Sequence, residues 1–310
     1  MSLAQSAVDL RLKSVLLATD FSPASVKPLH HALAIAKHYG AKLYIAHVVS
    51  PAPYLMAGPE ALQLAREGAT WELEQLEQTL VRSGSLNGSD HELIIRQGIV
   101  WEELRFVIFE KQIDLVVVGT HARSGIEKLL LGSTAEQVFR DANCPVLTVG
   151  PHSYREERVD SNGRLRTFLF ATDFGEASLA ALPHAVSLAN QPKTKLILAH
   201  VLPATPVPNI PGWYSTAEVA IMRENARMAC LGQLQHLAPR DEPPPVESEL
   251  VVQFGTPSEK ILQIALGRAV DLIILGLRRS SLVGPVSHIP WATAYEIVCG
   301  AGCPVLTVRQ

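Results

Sequence analysis

Cysteine is scarce in this chain, with four in 310 residues. That is too few for a disulfide framework at this length, so the thiols read as reduced. No Cys-x-x-Cys pair and no His-Cys cluster suggests a metal site. Long apolar runs are absent too: none approaches the ~20 residues of a membrane-spanning helix. The N-terminus lacks the charged-then-apolar pattern of a signal peptide, and the expected location is the cytoplasm. Positive charge is not clustered. The net charge is −3 with Lys and Arg scattered, which argues against the electrostatic footprint of a nucleic-acid partner. Two phosphate motifs are missing as well. There is no Gly-x-x-x-x-Gly-Lys-Ser/Thr, so the chain is not a P-loop NTPase, and no Gly-x-Gly-x-x-Gly follows the first strand. What remains, 47% hydrophobic and 18% charged, is an ordinary soluble globular composition.

What is present appears twice. Ala18-Thr19-Asp20-Phe21 returns as Ala171-Thr172-Asp173-Phe174, and Ala46-His47-Val48 as Ala199-His200-Val201. Gly98 returns as Gly255, and Ile113-Asp114-Leu115 as Val270-Asp271-Leu272. The run from Cys144 to Val149 returns from Cys303 to Val308. A repeat of this length means two fused domains of one kind. The length fits two, each long enough for a core. The expected boundaries are residues 1–150 and 164–310, joined by a polar linker over 151–163. A second low-order candidate is Pro239 to Pro245.

In each half, apolar strands alternate with helices. Val15–Ala18, Leu43–Val49, Leu93–Ile95, Leu115–Val118 and Val146–Val149 read as the first five strands. Helices are expected from Ser25, a plausible N-cap, to Tyr39 before Gly40, and over Glu60–Val81, Trp101–Lys111 and Thr134–Arg140. Nearly continuous Val, Ile and Leu imply a parallel sheet covered on both faces. Right-handed crossovers then make it doubly wound.

The stretch that carries chemistry follows the fourth strand, from Gly119 to Thr134. A glycine after a buried strand lets a ligand approach the backbone closely. A second glycine opens a helix, where free amides and the helix dipole favour an anion, naturally a phosphate. On these residues the chain resembles the universal stress protein family, and the resemblance covers both halves. The family's nucleotide-binding form carries Gly-x2-Gly-x9-Gly-Ser/Thr; here the run is Gly119-x2-Ala122-x9-Gly132-Ser133. The resemblance implies two tandem adenine nucleotide alpha hydrolase-like domains with strand order 3-2-1-4-5. It implies ATP, possibly with Mg²⁺, at the carboxyl ends of strands one and four, the topological switch point. Carried over, Asp20 meets the ribose or adenine edge and the Val48 backbone meets the adenine. Val118, Gly119, His121 and Ala122 line ribose and phosphates, while Gly132, Ser133 and Thr134 donate to the phosphates.

Plainer roles stand beside these. Asp20 and Asp173 also suit turn caps. His47 and His200 suit hydrogen-bonded core positions. Ser133 with Glu136 fits a capping box, as does Thr293 with Glu296. His121 and Arg123 fit a solvated loop, and Met56, Met222 and Trp71 fit packing. Aligned from the final strand, Gly132-Ser133-Thr134 is expected to face Ala292-Thr293-Ala294. Pro285, Pro290 and Trp291 would restrict backbone approach there, so the second half is expected to have lost its phosphate loop.

These readings favour a stress-response module that binds ATP mainly in its first half. The alternatives are a slow ATPase or phosphotransferase, and an interaction protein without nucleotide. The family also implies that the halves pair through their last strands as an intramolecular pseudo-dimer, with a homodimer as a further option.

Overall fold

Leu16, Leu17, Val116 and Val117 have no measurable exposure, as an apolar strand covered on both faces requires. They belong to the centre of a parallel sheet in a computed structural model. The structure describes residues 12–120, 131–150, 165–190, 193–204, 215–239, 246–278 and 291–309. The expected linker over 151–163 and the stretch 240–245 lie outside them.

One unit comprises Arg11–Ser153, and Tyr154–Gln310 belongs to the other. In chain order the first holds β1 (Ser14–Ala18), α1 (Val26–Tyr39), β2 (Lys42–Val49), α2 (Pro59–Arg82) and β3 (His91–Gln97). It continues with α3 (Val100–Glu110), β4 (Leu115–Gly119), α4 (Ser133–Asp141) and β5 (Val146–Val149). Its strands pair in parallel in the order β3-β2-β1-β4-β5. Register is fixed at Ala18↔Ala46 on one side of β1 and Ala18↔Val118 on the other.

The second unit repeats the plan. It holds β6 (Thr167–Ala171), α5 (Glu176–Ala180), α6 (Leu182–Ala189), β7 (Lys195–Leu202), α7 (Thr216–Leu237) and β8 (Glu247–Phe254). Then come α8 (Pro257–Gly267), β9 (Leu272–Leu277), α9 (Trp291–Gly300) and β10 (Val305–Arg309). Its order is β8-β7-β6-β9-β10, again parallel. Both units thus have the expected 3-2-1-4-5 arrangement.

Local sequence explains the element ends. Gly40 stops α1 in the left-handed conformation at φ 62°, which glycine adopts without a Cβ penalty. Ser25 sits at the N-cap of α1, but its hydroxyl does not cap the helix. The repeated aspartate before β4 and β9 is a staple. Asp114 Oδ2 accepts from the amides of Lys13 and Ser14 and from Ser14 Oγ. Asp271 Oδ2 accepts from the amides of Arg166 and Thr167. Each ties the start of one strand to the start of its neighbour, at the amino edge. Cys144 and Cys303 are both buried, and burial pushes the Cys144 thiol up to about 12.

Two readings are corrected. Met56 is 100% exposed and Trp71 is 62% exposed, so neither fills the core; Met222 is half-buried. Among the described residues, no helix is long and apolar enough to cross a membrane.

Candidate functional site

The chain leaves β1 toward β2 on one side and returns to β4 on the other, so a crevice opens at the carboxyl ends of β1 and β4. The turn after β1 is built by its own side chains. The Phe21 amide donates to Thr19 Oγ1, and the Ser22 amide and Ser25 Oγ donate to Asp20 Oδ1. Asp20 therefore does cap a turn, and it does so at the mouth of the crevice, exposed to solvent. The turn forces Phe21 to φ 59°, a left-handed conformation that bulky residues avoid and that marks strain around sites. The Phe21 ring lies against the His47 ring at 4.6 Å, and His47 Nδ1 is 2.8 Å from the Thr19 carbonyl oxygen. His47 is thus the hydrogen-bonded, half-buried residue expected. The motif does not announce the strained phenylalanine, but its repetition after Asp20 and Asp173 was a usable signal.

Val48 and Val118 are buried in β2 and β4. Gly119 ends β4 and faces α1. A Cβ there would lie 3.0 Å from Pro28 Cγ and 3.2 Å from the Ala24 carbonyl oxygen. The close approach that needs this glycine is therefore to the segment leading into α1. His121, Ala122, Arg123 and Lys128 lie outside the described residues.

α4 runs back from the carboxyl edge, as a crossover between parallel strands must. Gly132 is its N-cap, in extended conformation, with no side chain to cap the first turn. The first intrahelical bond runs from the Glu136 amide to Gly132 O at 2.8 Å. The amides of Ser133, Thr134 and Ala135 precede it at a positive helix end. The capping box is not formed, because Ser133 is the first helical residue rather than the cap. Ser133 is exposed and Thr134 half-buried. The residues brought to one edge are thus Asp20, Val48, Val118, Gly119, Gly132, Ser133 and Thr134.

The second unit keeps the turn and changes the rest. Phe174 has φ 62°, its ring is 4.5 Å from that of His200, and His200 Nδ1 is 2.8 Å from Thr172 O. Burial lowers the His200 pKa, opposed by the bond to Thr172 and the charge of Asp173. Asp173 Oδ1 accepts from the Gly175 amide and Ser178 Oγ. Ser178, the counterpart of Ser25, is only 2% exposed, whereas Ser25 is half-buried. A Cβ on Gly276 would fall 2.0 Å from the Ala177 carbonyl oxygen, so α5 presses closer to β9 than its counterpart does to β4.

Burial also corrects the alignment. Ala135, Val138, Phe139 and Ala142 are matched in burial by Ala294, Ile297, Val298 and Ala301. Gly132 therefore corresponds to Trp291 and Ser133 to Ala292, one residue earlier than expected. Trp291 stacks on Tyr295 with ring centres 5.0 Å apart. Thr293 lies inside α9, and Glu296 accepts from Ser258 Oγ, so that capping box is absent too.

The model of the universal stress protein family matches residues 11–150 and again 164–309. The chain belongs to the universal stress protein family. Universal stress protein MJ0531 of Methanocaldococcus jannaschii is 31% identical over 138 residues, 44% of this chain and 81% of that protein. Universal stress protein Mb2028c of Mycobacterium bovis is 24% identical over 226 residues, 72% of each. Among solved structures, a universal stress protein from Archaeoglobus fulgidus superposes with a TM-score of 0.65 at 19% identity. The match covers 97% of this chain and 99% of that one. At that identity it shows the shared fold.

Proposed function

We propose that this stress-response protein binds an adenine nucleotide, ATP with or without Mg²⁺, in its first unit, and that occupancy rather than turnover is its working state. The observation that supports this most is the uncapped first turn of α4. It opens at Gly132, where no Cβ obstructs approach, on the same edge as the Asp20 turn. Backbone amides of Ser133 and Thr134, with the Ser133 hydroxyl, suit phosphate oxygens. Asp20, at the end of β1, suits the donor groups of a nucleoside. Val48 and Val118 supply apolar walls, and Gly119 fixes how near the β1 turn lies to β4. The Trp291 side chain stands where the second unit would need a glycine, so we assign the phosphate site to the first unit. A bound nucleotide would bring its own metal. Among the described residues, no group of three His, Cys, Asp or Glu side chains could hold an ion.

The test is direct. The purified protein is denatured and the supernatant analysed for nucleotide, then nucleotide-free protein is titrated with ATP. Saturable binding, weakened by Gly132→Val, is expected; absence of any binding refutes the proposal.

A further inference from the structure

Leu64 and Trp71 stand two turns apart on the outward face of α2, 67% and 62% exposed. A large apolar side chain alone on a surface is ordinary. This pair, however, is repeated. The offset that takes Gly98 to Gly255 carries Leu64 to Ile221 and Trp71 to Met228 on α7. Those two are 61% and 56% exposed. The run Leu64-x-Arg66-Glu67-x-Ala69-x-Trp71 thus returns as Ile221-x-Arg223-Glu224-x-Ala226-x-Met228. The apolar side chains have changed, Leu to Ile and Trp to Met, while their character has not. Neighbouring outward positions have not kept theirs: Glu60 becomes Ala217, Thr70 becomes Arg227 and Glu74 becomes Leu231.

The surface of α2 is shaped for another helix. Gln63, Arg66, Glu67 and Thr70 are spaced i, i+3, i+4, i+7, and so are Glu67, Thr70, Trp71 and Glu74. Together these six line a shallow hollow. Four residues at that spacing form the hole that receives one side chain of a facing helix. Two such holes in succession receive two neighbouring side chains from one apolar stripe.

Charge selects the helix. Glu60, Glu67 and Glu74 against Arg66 give the α2 face three negative charges to one positive. The matching face of α7 carries Arg223 and Arg227 against Glu224, two positive to one negative. Arg227 donates to Glu224 through Nε at 2.9 Å and Nη2 at 2.6 Å, an exposed pair worth little by itself. Arg223 lies over the Phe254 ring at 4.4 Å. Packing α2 on α2 would bring like charges together, whereas α2 on α7 brings opposite ones together. We propose that copies of this chain associate through these helices, the acidic face of α2 in one copy packing on the basic face of α7 in another. Leu64, Trp71, Ile221 and Met228 are the apolar anchors of that contact. Each copy carries both faces, so two copies close the contact by making it twice, and otherwise it runs on as a ring or an open chain.

Sedimentation velocity of the full chain is followed over a wide range of concentration. Wild type is expected to associate reversibly beyond its 33.7 kDa monomer. Trp71→Gln and Met228→Gln, each alone, should raise the dissociation constant roughly tenfold or more, as loss of a central anchor does. Both side chains are exposed in the single chain, so melting temperatures at low concentration should stay at the wild-type value. Charge reversal assigns the pairing. Glu67→Lys/Glu74→Lys gives two basic faces and Arg223→Glu/Arg227→Glu gives two acidic ones, so each variant should self-associate weakly. An equimolar mixture of the two should associate as wild type does, since each basic face then meets an acidic one. A wild type that remains monomeric at every concentration overturns the proposal in favour of a different protein as the occupant. Association untouched by both glutamine variants places the contact elsewhere and overturns it too. Association lost in Trp71→Gln but kept in Met228→Gln and in Arg223→Glu/Arg227→Glu means that α2 pairs with its own equivalent, which overturns the role of α7.

Discussion

His47 reaches across from β2 to the carbonyl oxygen of Thr19, Nδ1 to O 2.8 Å, and so holds the end of β1 against its neighbour. The same bond recurs at 2.8 Å between His200 and Thr172. Both histidine rings pack on a left-handed phenylalanine. A contact kept in a unit that has lost the glycine at its helix start belongs first to the fold. In the first unit it also sets where the Asp20 turn lies.

His47→Leu should therefore act twice. It removes the donor to a part-buried carbonyl, a loss of about 1–3 kcal/mol in unfolding free energy, and it frees the Phe21 turn to relax. ATP affinity should fall along with the melting temperature. His200→Leu should cost similar stability and leave ATP affinity unchanged. Melting curves and ATP titrations of the two variants check this; equal effects on ATP binding would count against a site confined to the first unit.

The glycines ending β4 and β9 should differ in tolerance. Gly119→Ala places a methyl 3.0–3.2 Å from Pro28 and Ala24, where a small shift suffices. Gly276→Ala drives it to 2.0 Å from the Ala177 carbonyl oxygen and 2.4 Å from Ser178 Cα, where backbone must move. Overpacking of a tight core costs about 1–3 kcal/mol or more. Denaturant unfolding should show Gly276→Ala to be the more destabilised variant; the opposite order would mean that α5 yields more easily than its packing implies.

Stability should fall on mild acidification. Burial, with the nearby charges of His30 and Lys27, lowers the His31 pKa from 6.5 to about 4. Its counterpart His184 is also lowered, chiefly by burial. Between pH 6.5 and 4 the unfolded chain binds the proton that folded His31 refuses, so stability is fully present above 6.5 and declines as pH falls through that window. The shift sets a ceiling of about 3 kcal/mol for His31, at 1.36 kcal/mol per unit. Melting temperatures of wild type and His31→Gln across this range should converge toward low pH; parallel curves would remove His31 as the cause.

The sheet was legible because β1, β4 and their repeats are uninterrupted apolar runs, which only burial on both faces explains. Helix ends were readable where one residue decides, as at Gly40. The caps were misjudged because a Ser-x-x-Glu pattern does not say which residue is first to turn helical. Gly132 takes the cap position and puts Ser133 inside α4. The one-residue slip between Gly132 and its counterpart was not hidden by the sequence: the repeat of Cys144 as Cys303 already carries Gly132 to Trp291, and the buried face, Val138 against Ile297, agrees. Asp20 was legible as a residue of the crevice by its place after β1, where it caps the turn.

Replacing the glycine at the start of α4 should separate nucleotide binding from folding. Gly132→Val adds a branched side chain where phosphates would approach the Ser133 and Thr134 amides. Charge-assisted bonds contribute about 1.5–3 kcal/mol each, so losing one lowers ATP affinity by more than tenfold. Adenosine, without phosphates, should bind the variant nearly as well as wild type. Gly132→Trp copies the second unit and should behave the same way. If ATP binds Gly132→Val as tightly as wild type, the phosphates lie elsewhere.

Turnover of bound ATP should be far slower than the ~10 per second of a median enzyme. Amides at the start of α4 would hold phosphate oxygens in the ground state as well as in the transition state, and uniform binding of that kind does not speed chemistry. Phosphoryl transfer also needs a metal clamp and a positioned water. Among the described residues no group of three His, Cys, Asp or Glu side chains is assembled for the metal. The carboxylate to watch is Glu136. With no capping box it is not tied to the Gly132 end, and it lies one turn into α4. It follows Ser133, Thr134 and Ala135 along α4 and so lies beyond the helix opening where phosphates are proposed to sit. Single-turnover hydrolysis of radiolabelled ATP with Mg²⁺ should therefore be slow, and Glu136→Gln should leave the rate within about twofold. A rate near that of metabolic enzymes, abolished by Glu136→Gln but with ATP affinity retained, would make the first unit an ATPase and Glu136 its base.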